Sequence, residues 1–494
     1  MAKVVARGMR ALAPPAATRA SARALRLSNV WPVAALAFPI AVLTATPLGA
    51  IDLAYQVRAG DVMLSTHTLL RTDTFSFSVA GRPWLNQQWG AELVIGAAYR
   101  VGGWLGLAVT RGLLAGAVLV LILLACRAAG ASLRAASWLT LAAGTLLLVP
   151  GAFQLRGQLF GVVCFAAVLW LVAGRRQHPQ RLWWAVPIAI VWANVHGSFF
   201  LGPVLIGLGW LQDLTERDAR AHRTLLAGVA CAAATVITPY GPGVWGYVLG
   251  LTTNPLVREL SDEWRRPGLD TYLGGSFLIS GALVAGYLAR RGEKVPWPTL
   301  AWLGVFFGLG LTATRMAMWW AVAMPVVLAG LPRTDNRQAE RPDPTSPVNT
   351  VLAIALVSIA LAGFIRWIPY SGQTPPVNLV SFAPQGITAE LRRTLQPGER
   401  WFNPQEWGSW FELALPADPV FVDSRMEVIP DEVWKDYYAV SLARQGWQDV
   451  LDRWDIDVVV LARDQQRFAI PIVGADPEWR LIYQDADGLI FVRR

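Results

Sequence analysis

The chain has 494 residues, of which 54% are hydrophobic and only 16% charged, against roughly 25% charged in ordinary soluble domains. It carries 43 Lys+Arg and 34 Asp+Glu, a formal net charge of +9. The high apolar content excludes a disordered chain, and three Cys in so long a sequence exclude a disulfide scaffold.

A bilayer-spanning helix needs about 20 mainly apolar residues. The basic, acid-free stretch 1–29 reads as a cytoplasmic flank of a first span rather than a transit peptide. Apolar runs follow at 30–49, 104–125, 135–153, 157–174, 182–197, 199–212, 224–240, 272–289, 296–313, 316–331 and 348–368. The 182–212 region reads either as two short helices broken at His196-Gly197 or as one long bent helix. Lipid offers backbone groups no partner, so the spans must be helical. Cys126, Cys164 and Cys231 lie in or beside these runs and read as small hydrophobes.

Charge placement orients the chain. With the N-terminus inside, the inner segments from Lys3 to Arg341 hold twenty Lys and Arg, and the outer segments up to residue 369 hold eleven. Residues 1–369 carry net +16 and residues 370–494 net −7. An odd number of spans then puts the acidic tail outside. The basic residues are spread over six loops, so no nucleic-acid partner is expected.

The first outer segment, 50–103, is long and polar. Residues 52–64 have helical spacing, and Gln87–Val101 reads as a helix with Trp84, Trp89 and Tyr99 at headgroup level. The second outer segment, 240–271, opens on a turn at Pro239-Tyr240-Gly241-Pro242 and ends on Glu259, Asp262, Glu263, Trp264, Arg265 and Arg266. Residues 332–347 and 370–384 read as linkers. In the tail, 385–494, Val420-Phe421-Val422 and Asp457–Leu461 read as buried strands, and 430–444 and 446–454 as helices. Residues 479–483 and 489–492 pair across Asp485-Ala486-Asp487-Gly488. The expected fold class is an all-α polytopic membrane domain of about 11 transmembrane helices over 30–369, followed by a small α/β extracytoplasmic domain.

Ionisable residues at membrane depth are costly and point to function. On this topology Asp52, Asp73, Glu92, Arg156, Asn194, His196 and Arg315 reach one leaflet. A carboxylate facing cations at a lipid–water boundary suits transfer from a lipid-linked phosphate: Asp52 as general base on an incoming hydroxyl, Arg156, Arg315 and His196 on the departing phosphate. Each also has a plainer reading. Asp52 and Asp73 suit helix caps or turns, Glu92 a polar helix face, Arg156 and Arg315 snorkelling to headgroups, and His196 a bundle contact.

The same residues carry a resemblance. Asp52…Gly60, Arg71-Thr72-Asp73-Thr74-Phe75-Ser76, Gly81-Arg82-Pro83-Trp84, Trp89-Gly90-Ala91-Glu92 and Trp192-Ala193-Asn194-Val195-His196-Gly197 follow in order. Phe402-Asn403…Trp407-Gly408 and Val420-Phe421-Val422-Asp423-Ser424-Arg425 continue the series in the tail. The chain resembles bacterial polytopic membrane proteins of the GT-C glycosyltransferase superfamily, relatives of protein mannosyltransferases and lipid A aminoarabinose transferases. The resemblance implies a bacterial inner-membrane enzyme that moves a sugar, with inversion, from a polyprenyl-phosphate donor to an extracytoplasmic glycan, lipid or protein acceptor. The family's catalytic Asp falls on Asp52, with Asn194, Asp73 and Glu92 among the substrate-side residues. Two features depart from the pattern. Ala54-Tyr55-Gln56 replaces an aromatic-aromatic-His segment, and Ala50 and Ile51 stand where a second acid is found. A divalent metal stays open as a cofactor. The rival readings are a catalytically inactive homologue serving as an envelope-assembly scaffold and, third, a transporter, which internal repeats would favour.

Overall fold

The computed structural model describes residues 24–149, 151–253, 262–291, 295–331, 343–372, 374–376 and 378–494. Most of the basic flank (1–23), most of the 332–347 linker and Glu259 lie outside the described residues.

Each expected apolar run is helical: α1 (Leu27–Ala45), the second part of α3 (Trp89–Ala128), α4 (Leu133–Leu148), α5 (Gly157–Ala173), α6 (Ala185–Val195), α7 (Leu201–Thr215), α8 (Ala221–Ala234), α10 (Tyr272–Arg290), α11 (Trp297–Thr312), α12 (Ala317–Ala329) and α13 (Pro347–Ala362). Among the described residues, Leu27–Ala45, Trp89–Ala128, Tyr272–Arg290 and Pro347–Tyr370 are long and apolar enough to cross a bilayer by themselves. The protein is a multi-pass membrane protein. The 182–212 region is two helices, separated by extended His196 and a 3-10 turn at Gly197–Phe200. Ser132 and Thr271 accept from the first-turn amides of Ala135 and Gly274 and so set the starts of α4 and α10. At the bundle centre Phe165 packs against Trp192, Phe306 and Trp319, with ring centroids 5.0–6.3 Å apart.

The long polar segment 50–103 builds a platform. Helix α2 (Asp52–Thr66) lies against the first arm of α3, which breaks at Gly103 (φ 54°). The two helices touch at Gly60 and Gly96: a Cβ on Gly60 would stand 2.0 Å from the Glu92 carbonyl oxygen. Gly60→Ala must therefore push α2 off α3. Overpacking of this kind costs about 1–3 kcal/mol, and it should lower the Tm of the detergent-solubilised protein. An unchanged Tm would count against this close approach. A helix not anticipated from sequence, α9 (Gly243–Thr253), occupies part of the second outer segment.

The tail carries a four-stranded sheet in the order β3 (Arg400–Phe402), β4 (Ile456–Ala462), β6 (Gly488–Arg493), β5 (Trp479–Gln484), β3 parallel to β4 and the other pairs antiparallel. Its helices are α14 (Gln385–Thr394), α15 (Gln405–Ala414), α16 (Asp431–Ser441), α17 (Trp447–Arg453) and α18 (Ala469–Ala475). A separate two-residue ladder joins β1 (Leu25–Arg26) to β2 (Thr345–Ser346).

The tail docks directly on the platform, and two expectations change for that reason. Val420-Phe421-Val422 is not a strand of the sheet. The Val420 amide donates to Phe75 O (3.0 Å), its carbonyl accepts from Phe77 (2.9 Å), and the segment stitches the tail to the first outer loop. Trp84 and Tyr99 pack inside the protein rather than facing lipid headgroups: both are buried, Trp84 beside Tyr55 and Phe75, Tyr99 beside Trp104. Leu48 likewise bridges to Val380, so the backbone of the 370–384 connection also pairs with the chain just before Asp52.

Candidate active site

Four of the proposed residues come to the same place from four helix ends. Asp52 begins α2. The chain leading to it is held by buried Arg111, whose guanidinium donates to the carbonyls of Leu43, Thr46 and Pro47 at 2.7–2.8 Å. These carbonyls lie at and just beyond the end of α1, where backbone acceptors outnumber backbone donors. Arg156 is the extended residue before α5. His196 follows α6, and Arg315 sits in the turn Thr314–Met316 between α11 and α12. All four line a cavity of about 340 Å³ that is roofed by the tail.

Inside it Arg156 joins two carboxylates. Its Nη1 is 3.4 Å from Asp52 Oδ2, and its Nη2 donates to both oxygens of Glu263 at 2.9 and 3.0 Å. Arg315 stands 3.9 Å from Glu263, donates to Gln158 Oε1 (3.4 Å), and lies 4.9 Å from the Trp264 ring centre. The turn bearing Glu263 is tied to the turn bearing Arg315: the Thr314 amide and hydroxyl both donate to Arg265 O, at 2.8 and 2.7 Å. Burial pushes the Glu263 carboxyl up, but Arg156 and Arg315 outweigh it and hold it below its ordinary value.

His196 is oriented by its neighbours. Its Nδ1 accepts from the Ser198 amide (3.2 Å) and lies 2.8 Å from the Ser198 hydroxyl, which itself accepts from Trp192 Nε1 (3.0 Å). This assigns the neutral ring's proton to Nε2. Gln56, in the segment that departs from the family pattern, clips α2 to α5: its Oε1 accepts from the Gly157 amide (3.2 Å) and its Nε2 donates to Gln88 (3.1 Å).

The other three candidates lie elsewhere. Asp73 is buried in an ion cluster between platform and tail. It accepts from the Ser76 amide (3.0 Å) and hydroxyl (2.7 Å) and pairs with Arg425 at 2.7 Å. Glu92 is fully buried behind α2 and accepts from Asn86 (2.5 Å). Asn194 locks three segments together: it accepts from Trp89 Nε1 (2.9 Å) and donates to Ile190 O (2.7 Å) and Ile237 O (2.9 Å). None of the three lines the cavity.

Sequence reasoning missed Glu263 and Glu427 as cavity residues. Both sit in ordinary polar loops. The only available signal was Glu263's place beside Trp264 and two Arg in the second outer segment. Glu427 comes from the tail and lines the cavity together with Tyr247 of α9. Among the described residues, no three His, Cys, Asp or Glu side chains gather as a metal site.

No protein-family model and no curated protein sequence matches the chain. Solved structures do. ArnT from Cupriavidus metallidurans, bound to undecaprenyl phosphate, aligns over 94% of this chain and 97% of its own at 14% identity and a TM-score of 0.50. The arabinofuranosyltransferase AftD from Mycobacteria aligns over 95% of this chain and 40% of its own at 16% identity and a TM-score of 0.52. A mutant form of AftD gives 15% identity, 95% and 42% coverage and a TM-score of 0.53. These alignments run through membrane part and tail together, and the chain has the GT-C fold, an all-α membrane domain capped by a C-terminal α/β domain.

Proposed function

We propose that the chain is a membrane glycosyltransferase that takes its sugar from a polyprenyl-phosphate donor at the outer face of the bacterial inner membrane. The observation that carries this is the gathering of Asp52, Arg156, Arg315 and His196, distant in sequence, around one cavity at the level of the helix ends. ArnT, similar in fold, was solved with undecaprenyl phosphate. In the proposed step an acceptor oxygen bonds to the anomeric carbon as the bond from that carbon to the phosphate oxygen breaks. The acceptor's proton passes to Asp52, and the polyprenyl phosphate leaves on Arg156, Arg315 and the Nε2–H of His196. Attack opposite the leaving group inverts the anomeric centre.

Undecaprenyl phosphate binding to the protein in nanodiscs tests this. Arg156→Gln and Arg315→Gln should each weaken it at least about tenfold, since charge-assisted hydrogen bonds contribute about 1.5–3 kcal/mol each. Binding unaffected by both would remove the donor site. Glu263 already holds Arg156 in the structure, as an internal anion that the phosphate must displace. Glu263→Gln should therefore tighten phosphate binding by up to about fivefold, the range of a partly exposed ion pair.

The same pairing favours a second reading, a scaffold without transferase activity in which Glu263 keeps the cations permanently neutralised. Glu263→Gln protein that binds no undecaprenyl phosphate, with intact co-purification of envelope enzymes, would support it.

A further inference from the structure

The cavity has two chemically different walls. The membrane part supplies the cations Arg156 and Arg315, the His196 ring and the carboxylates of Asp52, Asp262 and Glu263, each of which is paired with an Arg. The tail supplies Gln405, Glu406, Ser424, Glu427, Trp434 and Tyr438. Trp434 and Tyr438 are four apart on α16 and so share its cavity face, their ring planes 32° apart and centroids 6.2 Å apart. Glu406 and Glu427 have no ion-pair partner within 4 Å among the described residues. The tail's one cation lining the cavity, Arg425, is occupied by Asp73 and Asp423. The tail wall is thus aromatic, rich in hydrogen-bond acceptors and negative in net charge.

That combination selects a ligand class. Carboxylates accept and do not donate, so they suit hydroxyl donors. Aromatic side chains with few convergent polar groups suit the apolar face and hydroxyl rim of a sugar ring. An anionic group brought against Glu406 and Glu427 meets like charge, which costs affinity. Resting on the transferase reading, we propose that the tail wall is the acceptor subsite and that it takes an uncharged, hydroxyl-rich glycan end rather than a phosphorylated lipid or a peptide.

The ionisation of the wall fits. Burial pushes the Glu427 carboxyl up to about 7, with its own backbone amide and Arg425 drawing it partly back. Burial also raises Glu406, helped by Asp464 and Asp262. Above about pH 7 Glu427 is therefore the charged acceptor the wall needs, and the discrimination against acidic glycans should grow as pH rises through that value.

The test is binding of linear gluco-, manno- and arabino-oligosaccharides to the nanodisc-embedded protein by saturation-transfer NMR, beside uronic-acid counterparts of the same length. A neutral glycan should bind, and its acidic counterpart should bind about tenfold more weakly. The Glu406→Gln/Glu427→Gln protein should lose most of that discrimination, and Tyr438→Ala should weaken neutral glycans. Undecaprenyl phosphate is titrated separately with each variant and should bind as in the parent. Equal binding of acidic glycans by the parent, or no neutral glycan bound by a parent that binds undecaprenyl phosphate, overturns the proposal. A parent that binds neutral glycans but no undecaprenyl phosphate leaves the tail wall as a glycan site and ends the transferase reading instead.

Discussion

Arg425→Leu is expected to destabilise the docked tail by about 3–5 kcal/mol, the effect of stripping one partner from a buried ion cluster. Arg425 is 1% exposed. Its guanidinium pairs with Asp73 of the first outer loop at 2.7 Å and with Asp423, approaches Glu412 at 3.4 Å, and lies 4.6 Å from the Trp84 ring centre and 5.0 Å from that of Phe75. Without the cation, Asp73 and Asp423 remain buried against each other with no counter-charge. Lys cannot reproduce the planar contacts on carboxylate and ring together, so Arg425→Lys should recover little. Limited proteolysis of the 370–384 connection and the Tm of the solubilised protein both report the loss. A Tm within 1 °C of the parent, for which ~1 kcal/mol already predicts a larger shift, would mean that the cluster does not hold the tail.

The protonation of the cluster adds a sign that can be checked. Burial, then Asp423, raise Glu412 well above the ordinary carboxylate range, with Arg425 drawing it partly back. A carboxyl with a raised folded pKa contributes fully below its unfolded value, near 4.3, and that contribution is lost as pH rises toward the folded value. Burial also pushes Asp423 up, but Arg425 outweighs it and the net shift is downward. Its contribution is therefore present above about 3.9 and lost as pH falls below that. Glu412→Gln keeps the size of the side chain and removes the first titration. Its Tm should match or exceed the parent's at pH 8, whereas Arg425→Leu falls below it at every pH.

Asp52→Asn is the largest expected effect on activity. General-base catalysis contributes about 10²–10⁴-fold, and Asn preserves the size and the contact with Arg156 while it cannot take a proton. Sugar transfer should drop by about that factor, with membrane insertion and undecaprenyl phosphate binding retained. Full transfer by this variant would remove Asp52 from the base role.

The helices were readable because hydrocarbon tolerates no unpaired backbone, so every long apolar run had one solution. The terminal hairpin of β5 and β6 was readable from its turn residues, Asp485 to Gly488, which the structure shows joined by Asp485 accepting from the Asp487 and Gly488 amides. Val420-Phe421-Val422 was misread because an apolar run fits any buried extended segment, and its partner, Phe75–Phe77, lies some 340 positions away. Trp84 was misread for a related reason: an aromatic next to a span suits a membrane interface and a protein seam equally well.

The site divides in the same way. By itself the sequence singled out ionisable groups beside or between the apolar runs, because charge at membrane depth is too costly to be incidental. It also showed a basic membrane part, net +16 over residues 1–369, joined to an acidic tail, net −7 over residues 370–494. Asp52, Arg156, His196, Arg315, Asp73, Glu92 and Asn194 all met that test equally. Only the tertiary structure separated the four that face a common cavity from the three that anchor loop, helix and tail. It also brought in Glu263 and the tail wall with Glu427. Depth in the bilayer is a one-dimensional property that hydropathy records along the chain. Which polar group meets which across the bundle depends on how helices and tail pack, and residues hundreds of positions apart leave no local signature of that.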